Sequence, residues 1–122
     1  MSYIIRTGNL AETPELKEGP QRKYTRAAVV VNDAERDDSG AWETTGSTLY
    51  NVTAFGSEAE NLVAAAEASG NIRVIFGGRY RVKEYVNKDG EPRVGHDVTA
   101  DFIGVSLSGQ RVTVERSAAA GE

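Results

Sequence analysis

Cysteine is absent from this 122-residue chain, histidine occurs once, at His96, and proline three times. Without a thiol there is no disulfide frame, no thiolate nucleophile and no zinc–thiolate site, and a lone histidine removes the usual paired-imidazole metal sites. Neither a metal nor another cofactor is expected. No apolar run approaches the roughly 20 residues of a membrane-spanning helix. Residues 1–6, Met-Ser-Tyr-Ile-Ile-Arg, lack the basic segment and long apolar core of a secretory signal. The chain reads as cytoplasmic, with no membrane partner. What remains is ordinary for one globular domain, 39% hydrophobic and 26% charged, of a length that buries roughly two thirds of its unfolded surface.

The formal net charge of −4 argues against a polyanionic ligand until its location is considered. Within residues 33–43, Asp33, Glu35, Asp37, Asp38 and Glu43 stand against Arg36 alone, so the whole acidic surplus lies in that segment. Residues 72–88 run the other way, with Arg73, Arg79, Arg81, Lys83 and Lys88 against Glu84. A polyanion meets local potential rather than overall charge, so this basic stripe is a candidate site.

Tyr3–Thr7 is predicted to be a strand, followed by a long irregular connection from Gly8 to Pro20. Tyr24–Val31 is a second strand, ending in an exposed acidic loop closed by Ser39-Gly40, and Leu49–Phe55 is a third. Ser57 and Glu60 have the spacing of a capping box. Ala59, Leu62, Val63 and Ala66 then form one apolar stripe, and Gly70 supplies a stop, which predicts a helix over 57–69. From Ile72 to Val86 the even positions are apolar apart from Glu84, whereas Arg79, Arg81, Lys83 and Tyr85 fall on the opposite face. Gly77-Gly78 marks a bulge or bend. Asn87–Gly90 makes a turn, and Val94, His96, Val98, Ala100 and Phe102 supply the core face of a returning strand. This order predicts an all-β fold with one short helix, the five-stranded OB-fold Greek-key barrel with its helix between strands 3 and 4. Arg111–Arg116 alternates again as an extra C-terminal strand, giving a domain over 1–116 and a flexible end at 117–122.

Three cations in a row ending in an aromatic are what single-stranded nucleic acid needs, because cations track phosphates and a ring stacks on a splayed base. The plain alternative is the wet side of an amphipathic strand, although such a side would usually mix charges of both signs. Phe55 and Asn51 share a strand face that could extend the platform, and Lys88 prolongs the stripe into the turn. Trp42 is either a loop anchor or a mobile stacking residue. No catalytic constellation is evident: the acids at 33–38 lack the glycine of a calcium loop, Gly77-Gly78 sits in no phosphate-cradling frame, and His96 has no evident nucleophile partner.

Gly8-Asn9-Leu10, Thr13-Pro14-Glu15-Leu16, Tyr50–Gly56, Gly78–Tyr85 and Lys88-Asp89-Gly90 together resemble the bacterial single-stranded DNA-binding protein family. The resemblance runs from about Tyr3 to Leu107. It implies sequence-independent binding of single-stranded DNA in replication, recombination or repair, without catalysis, by a homotetramer. It also implies that Tyr85 and Phe55 fall at base-stacking positions, and Arg81 and Lys83 at basic positions facing DNA. Leu49 departs, standing where members often have a third stacking aromatic, and the acidic 33–43 loop is less basic than a DNA-contacting loop should be. These two departures favour an OB-fold protein-interaction adaptor as the alternative. Ser117–Glu122 does not match the family's acidic tail with its Ile-Pro-Phe-like tip, so tail-reading replication and repair partners are not expected for this chain.

Overall fold

The structure, a computed structural model, describes residues 2–116. In chain order it contains β1 (Ser2–Leu10), β2 (Leu16–Glu18), β3 (Lys23–Arg36), β4 (Trp42–Phe55), α1 (Gly56–Ser69), β5 (Arg73–Val86) and β6 (Pro92–Val105). The strands lie in the order β1-β5-β6-β4-β3-β2, and β1 returns to pair with β3 through Asn9↔Val30 and Leu10↔Val29. That contact closes the five long strands into a barrel. All neighbours are antiparallel except β4 and β6. The short β2 is the extra strand.

Period-two patterning builds the barrel interior, since a strand sends alternate side chains to opposite faces. Thr25, Ala27, Val29 and Val31 of β3 point inward, as do Tyr50, Val52 and Ala54 of β4, Val74 and Phe76 of β5 and Val98 of β6. Thr25, the buried polar residue among them, donates its hydroxyl to the Glu15 carbonyl at 2.7 Å and so ties the β1–β2 connection to the barrel. Helix α1 contributes Ala59, Leu62 and Ala66 to the same core. Burial of a leucine or valine side chain contributes about 1.5–3 kcal/mol, which binds the helix to the barrel without any side-chain cap at its N-terminus.

Several expectations are corrected. The capping box does not form: Phe55 occupies the cap position, Gly56 turns at φ +65° and Ser57 is already inside the first turn. A capping side chain must sit on a non-helical residue, so the Ser57 hydroxyl is two positions too late. Glu58 instead accepts a hydrogen bond from the Ile103 N–H at 3.3 Å. Gly70 ends the helix at φ +86°, its N–H donating to the Ala66 carbonyl.

The acidic segment is no loop. The β3–β4 ladder continues through Asn32↔Ser47 to Arg36↔Trp42 and confines the turn to Asp37–Ala41. The supposedly irregular stretch from Gly8 to Pro20 holds the end of β1 and all of β2. On β5 the even positions are core only as far as Tyr80. Val82 and Val86 are 52% and 68% exposed because the β5–β6 hairpin runs past the barrel rim. On β6, Asp101 is an extra residue between Phe102 (opposite Gly77) and Ala100 (opposite Gly78). This bulge reverses the alternation beyond it, so Ile103 is buried and Phe102 is exposed, lying over Gly77. Arg111–Arg116 forms no strand, and residues 117–122 lie outside the described residues.

Candidate nucleic-acid interface

The outward face of β5 carries Arg79, Arg81, Lys83 and Tyr85, all exposed. Pairing with β6 sets Arg79 beside Thr99, Arg81 beside Asp97, Lys83 beside Gly95 and Tyr85 beside Arg93. The parallel β4–β6 ladder adds Asn51 beside Asp97 and Thr53 beside Thr99, and β3 adds Arg26 beside Thr53. One polar face therefore spans four strands. Arg26, Thr53, Arg79, Arg81, Lys83 and Asp97 line a groove of about 230 Å³ on it. A neighbouring space of about 280 Å³ is bordered by Arg26, Asn51, Lys83, Tyr85, Gly95 and Asp97.

Among the described residues, Arg79, Arg81 and Lys83 take part in no ion pair, so their charges face solvent unneutralised. Arg26 is different. Its Nη2 donates to Asp97 Oδ1 at 3.2 Å, and the same oxygen accepts from Asn51 Nδ2 at 3.3 Å. Asn51, expected from the sequence, is thus half-buried and oriented. Phe55 lies opposite Tyr24, with the Arg22 guanidinium 4.5 Å from its ring centroid. A base that stacks on Phe55 must displace Arg22 or include it.

Lys88 lies in the β5–β6 turn, where Asn87 Oδ1 accepts from the Asp89 and Glu91 N–H groups and Gly90 turns at φ +80°. Trp42 is no loop anchor. It begins β4, 68% exposed, with Arg36 5.3 Å from its ring centroid. It stands thirteen positions before Phe55 on the same strand, roughly 40 Å, so it belongs to the hairpin tip and not to the groove. The opposite turn is built like the first. Asp37 Oδ1 accepts from the Ser39 hydroxyl and from the Ser39 and Ala41 N–H groups, and these bonds, the hydroxyl's foremost, hold its carboxyl below the usual aspartate value.

Charge on the acidic arm is only partly answered. Arg6 donates from Nη2 to Asp33 at 2.9 Å and from Nη1 to the Tyr50 hydroxyl at 3.1 Å. Glu35 faces Glu43 directly across the ladder, an arrangement that costs stability between like charges. On β1, where Tyr3 pairs with Arg79, desolvation and the neighbouring Asp101 carboxylate push the Tyr3 phenol above its ordinary value.

Sequence reading missed Arg26, Arg22 and Asp97 as parts of this face. Arg26 had a usable signal, since Thr25, Ala27 and Val29 mark the inward side of β3 and leave it outward. Asp97 had part of one, since its alternation with His96 and Val98 leaves it outward on the returning strand of the hairpin, beside Arg81; its contact with Asn51 comes from a parallel pairing of strands 46 residues apart in the chain.

A closed five-strand barrel with a helix packed on it and a groove across its strands defines an OB-fold protein. The sequence profile of the Single-strand binding protein family matches residues 1–106, and the chain belongs to that family. It is 30% identical over 117 residues to a single-stranded DNA-binding protein of Corynebacterium glutamicum, covering 93% of this chain and 51% of that one. A single-stranded DNA-binding protein of Paenarthrobacter aurescens is 31% identical over 112 residues, 90% of this chain and 64% of the relative. The chain thus spans about half to two thirds of these relatives. The crystal structure of a small single-stranded DNA-binding protein from Streptomyces coelicolor superposes with a TM-score of 0.73 at 25% identity, over 88% of this chain and 95% of that one.

Proposed function

We propose that this chain binds single-stranded DNA without catalysis, its phosphates following Arg79, Arg81 and Lys83 while bases stack on Tyr85 and Phe55. The observation that carries this reading is the row of three unpaired cations ending in an exposed tyrosine beside the groove. Sequence tolerance follows from the chemistry, because every base has a π-face and every nucleotide a phosphate. Family membership supports the same reading and, with it, a cytoplasmic role on DNA exposed in replication, recombination or repair.

The assembly we propose is a homotetramer. Tyr3 and Ile5 are more than half exposed on β1, and Val82, Val86 and Val94 crowd the projecting β5–β6 hairpin. Apolar surface of this kind is more often covered by a partner than left in water. A second reading, an OB-fold adaptor with weak DNA affinity, is favoured by the acidic β3–β4 arm and by exposed Leu49. Anisotropy titration of labelled oligo(dT), with a duplex of equal length as control, separates the two. Saturable binding to the single strand alone at low salt supports the first; none, with the protein folded, leaves the adaptor.

A further inference from the structure

Asp97 is out of place on a phosphate-binding face. It projects a negative charge between Arg81 on β5 and Asn51 on β4, bordering both the basic groove and the space beside Tyr85. Its side chain is only 28% exposed and is held by two donors, unlike a free surface carboxylate. Both hydrogen bonds to it, from Arg26 and from Asn51, land on Oδ1; among the described residues Oδ2 accepts none. Since Asn51 donates its amide nitrogen to Asp97, its carbonyl oxygen is left as a second acceptor. Beside the Arg26 and Lys83 donors, the floor next to Tyr85 therefore offers two fixed acceptors, Asp97 Oδ2 and Asn51 Oδ1.

We propose that Asp97, oriented by Arg26 and Asn51, is a specificity-determining residue. Its free carboxylate oxygen accepts a hydrogen bond from the exocyclic amino group of a base stacked on Tyr85, favouring cytosine over thymine at that place. The inference rests on the DNA-binding reading of the same face. A carboxylate accepts well from cytosine N4, whereas thymine presents its O4 acceptor at the corresponding edge, leaving two acceptors opposed. Hydrogen bonds to a charged partner are about twice as strong as neutral ones. The remaining contacts, to phosphates and to π-faces, stay indifferent to sequence, so the preference is confined to one nucleotide position.

Competition anisotropy tests this with three oligonucleotides of equal length: oligo(dT), oligo(dC), and an oligo(dC) in which pyrimidin-2-one, lacking the 4-amino group, replaces each cytosine. The unmodified protein should bind oligo(dC) about tenfold more tightly than the pyrimidin-2-one strand, a difference of about 1.4 kcal/mol. In Asp97→Asn, whose amide oxygen still accepts but carries no charge, that ratio should fall at least severalfold, at an unchanged melting temperature. If the parent binds both cytosine-type strands equally, or Asp97→Asn shifts all three affinities by the same factor, Asp97 acts only as an electrostatic brake or a clamp and the inference is overturned. If the folded parent binds no oligonucleotide, the DNA reading falls and this inference with it; binding of oligo(dT) without discrimination overturns the inference alone.

Discussion

Arg81 and Tyr85 sit four residues apart on one strand face and are assigned different work, so their loss should differ in kind. For single strands the slope of log K against log salt is about −0.7 per neutralised phosphate, and Arg81→Ala should flatten it by roughly 0.7. Tyr85→Ala should weaken oligo(dT) binding by about 1–3 kcal/mol and leave the slope unchanged, because stacking releases no counterions. Both side chains are exposed and outside the core, so neither change should move the melting temperature much. If both variants match the parent at every salt concentration, the face is only a solvated strand. These two residues were legible in the sequence because alternation along one strand is local. Asp97 joins Arg81 across the β5–β6 hairpin, whereas Arg26 joins only through the β3–β4–β6 pairings, and no spacing along the chain announces which of those strands lie side by side.

At the scale of elements, the two hairpins show one device used twice. Asp37 and Asn87 each receive backbone N–H groups from two and four residues on, and Gly40 and Gly90 take the positive φ that closes the turn. The Asn-x-x-Gly turn was legible; its Asp-x-x-Gly twin was hidden by a density of charge that resembles a loop. Because folding lowers the Asp37 carboxyl, its stabilising contribution is present above about pH 4 and is lost as pH falls through the lowered value. Asp37→Ala should therefore flatten the dependence of melting temperature on pH below about 4, measured against the parent by thermal denaturation. The bend at Gly77-Gly78 was also legible, but not the extra Asp101 on the partner strand that turns Phe102 outward. A β-carbon at Gly78 would collide with the Thr99 carbonyl oxygen and approach Ala100 Cα to 2.8 Å, both backbone atoms that cannot step aside. Gly78→Ala should cost about 1–3 kcal/mol, read as a fall of several degrees in melting temperature.

For the whole molecule, the order of strands and helix was enough to predict the barrel, because each long strand carries its own core side and α1 its own stripe. The reach of the strands was not legible. β3, β4, β5 and β6 each run 14 residues, and the wet parts of their hairpins lack the apolar alternation that marks a strand against a core. Those projecting arms and the exposed apolar residues of β1 underlie the proposed tetramer. Light scattering at micromolar concentration should give about four times the 13.1 kDa chain mass, and a monomeric mass would contradict it. The central claim is that DNA lies on the β3–β6 face. Photocrosslinking with oligo(dT) carrying 5-iododeoxyuridine, followed by peptide mass mapping, tests it most directly, since the photoactivated base couples to an aromatic side chain stacked on it. Crosslinks at Tyr85 or Phe55 are the predicted result; crosslinks confined to residues off that face, with Tyr85 and Phe55 unmodified, would contradict the claim.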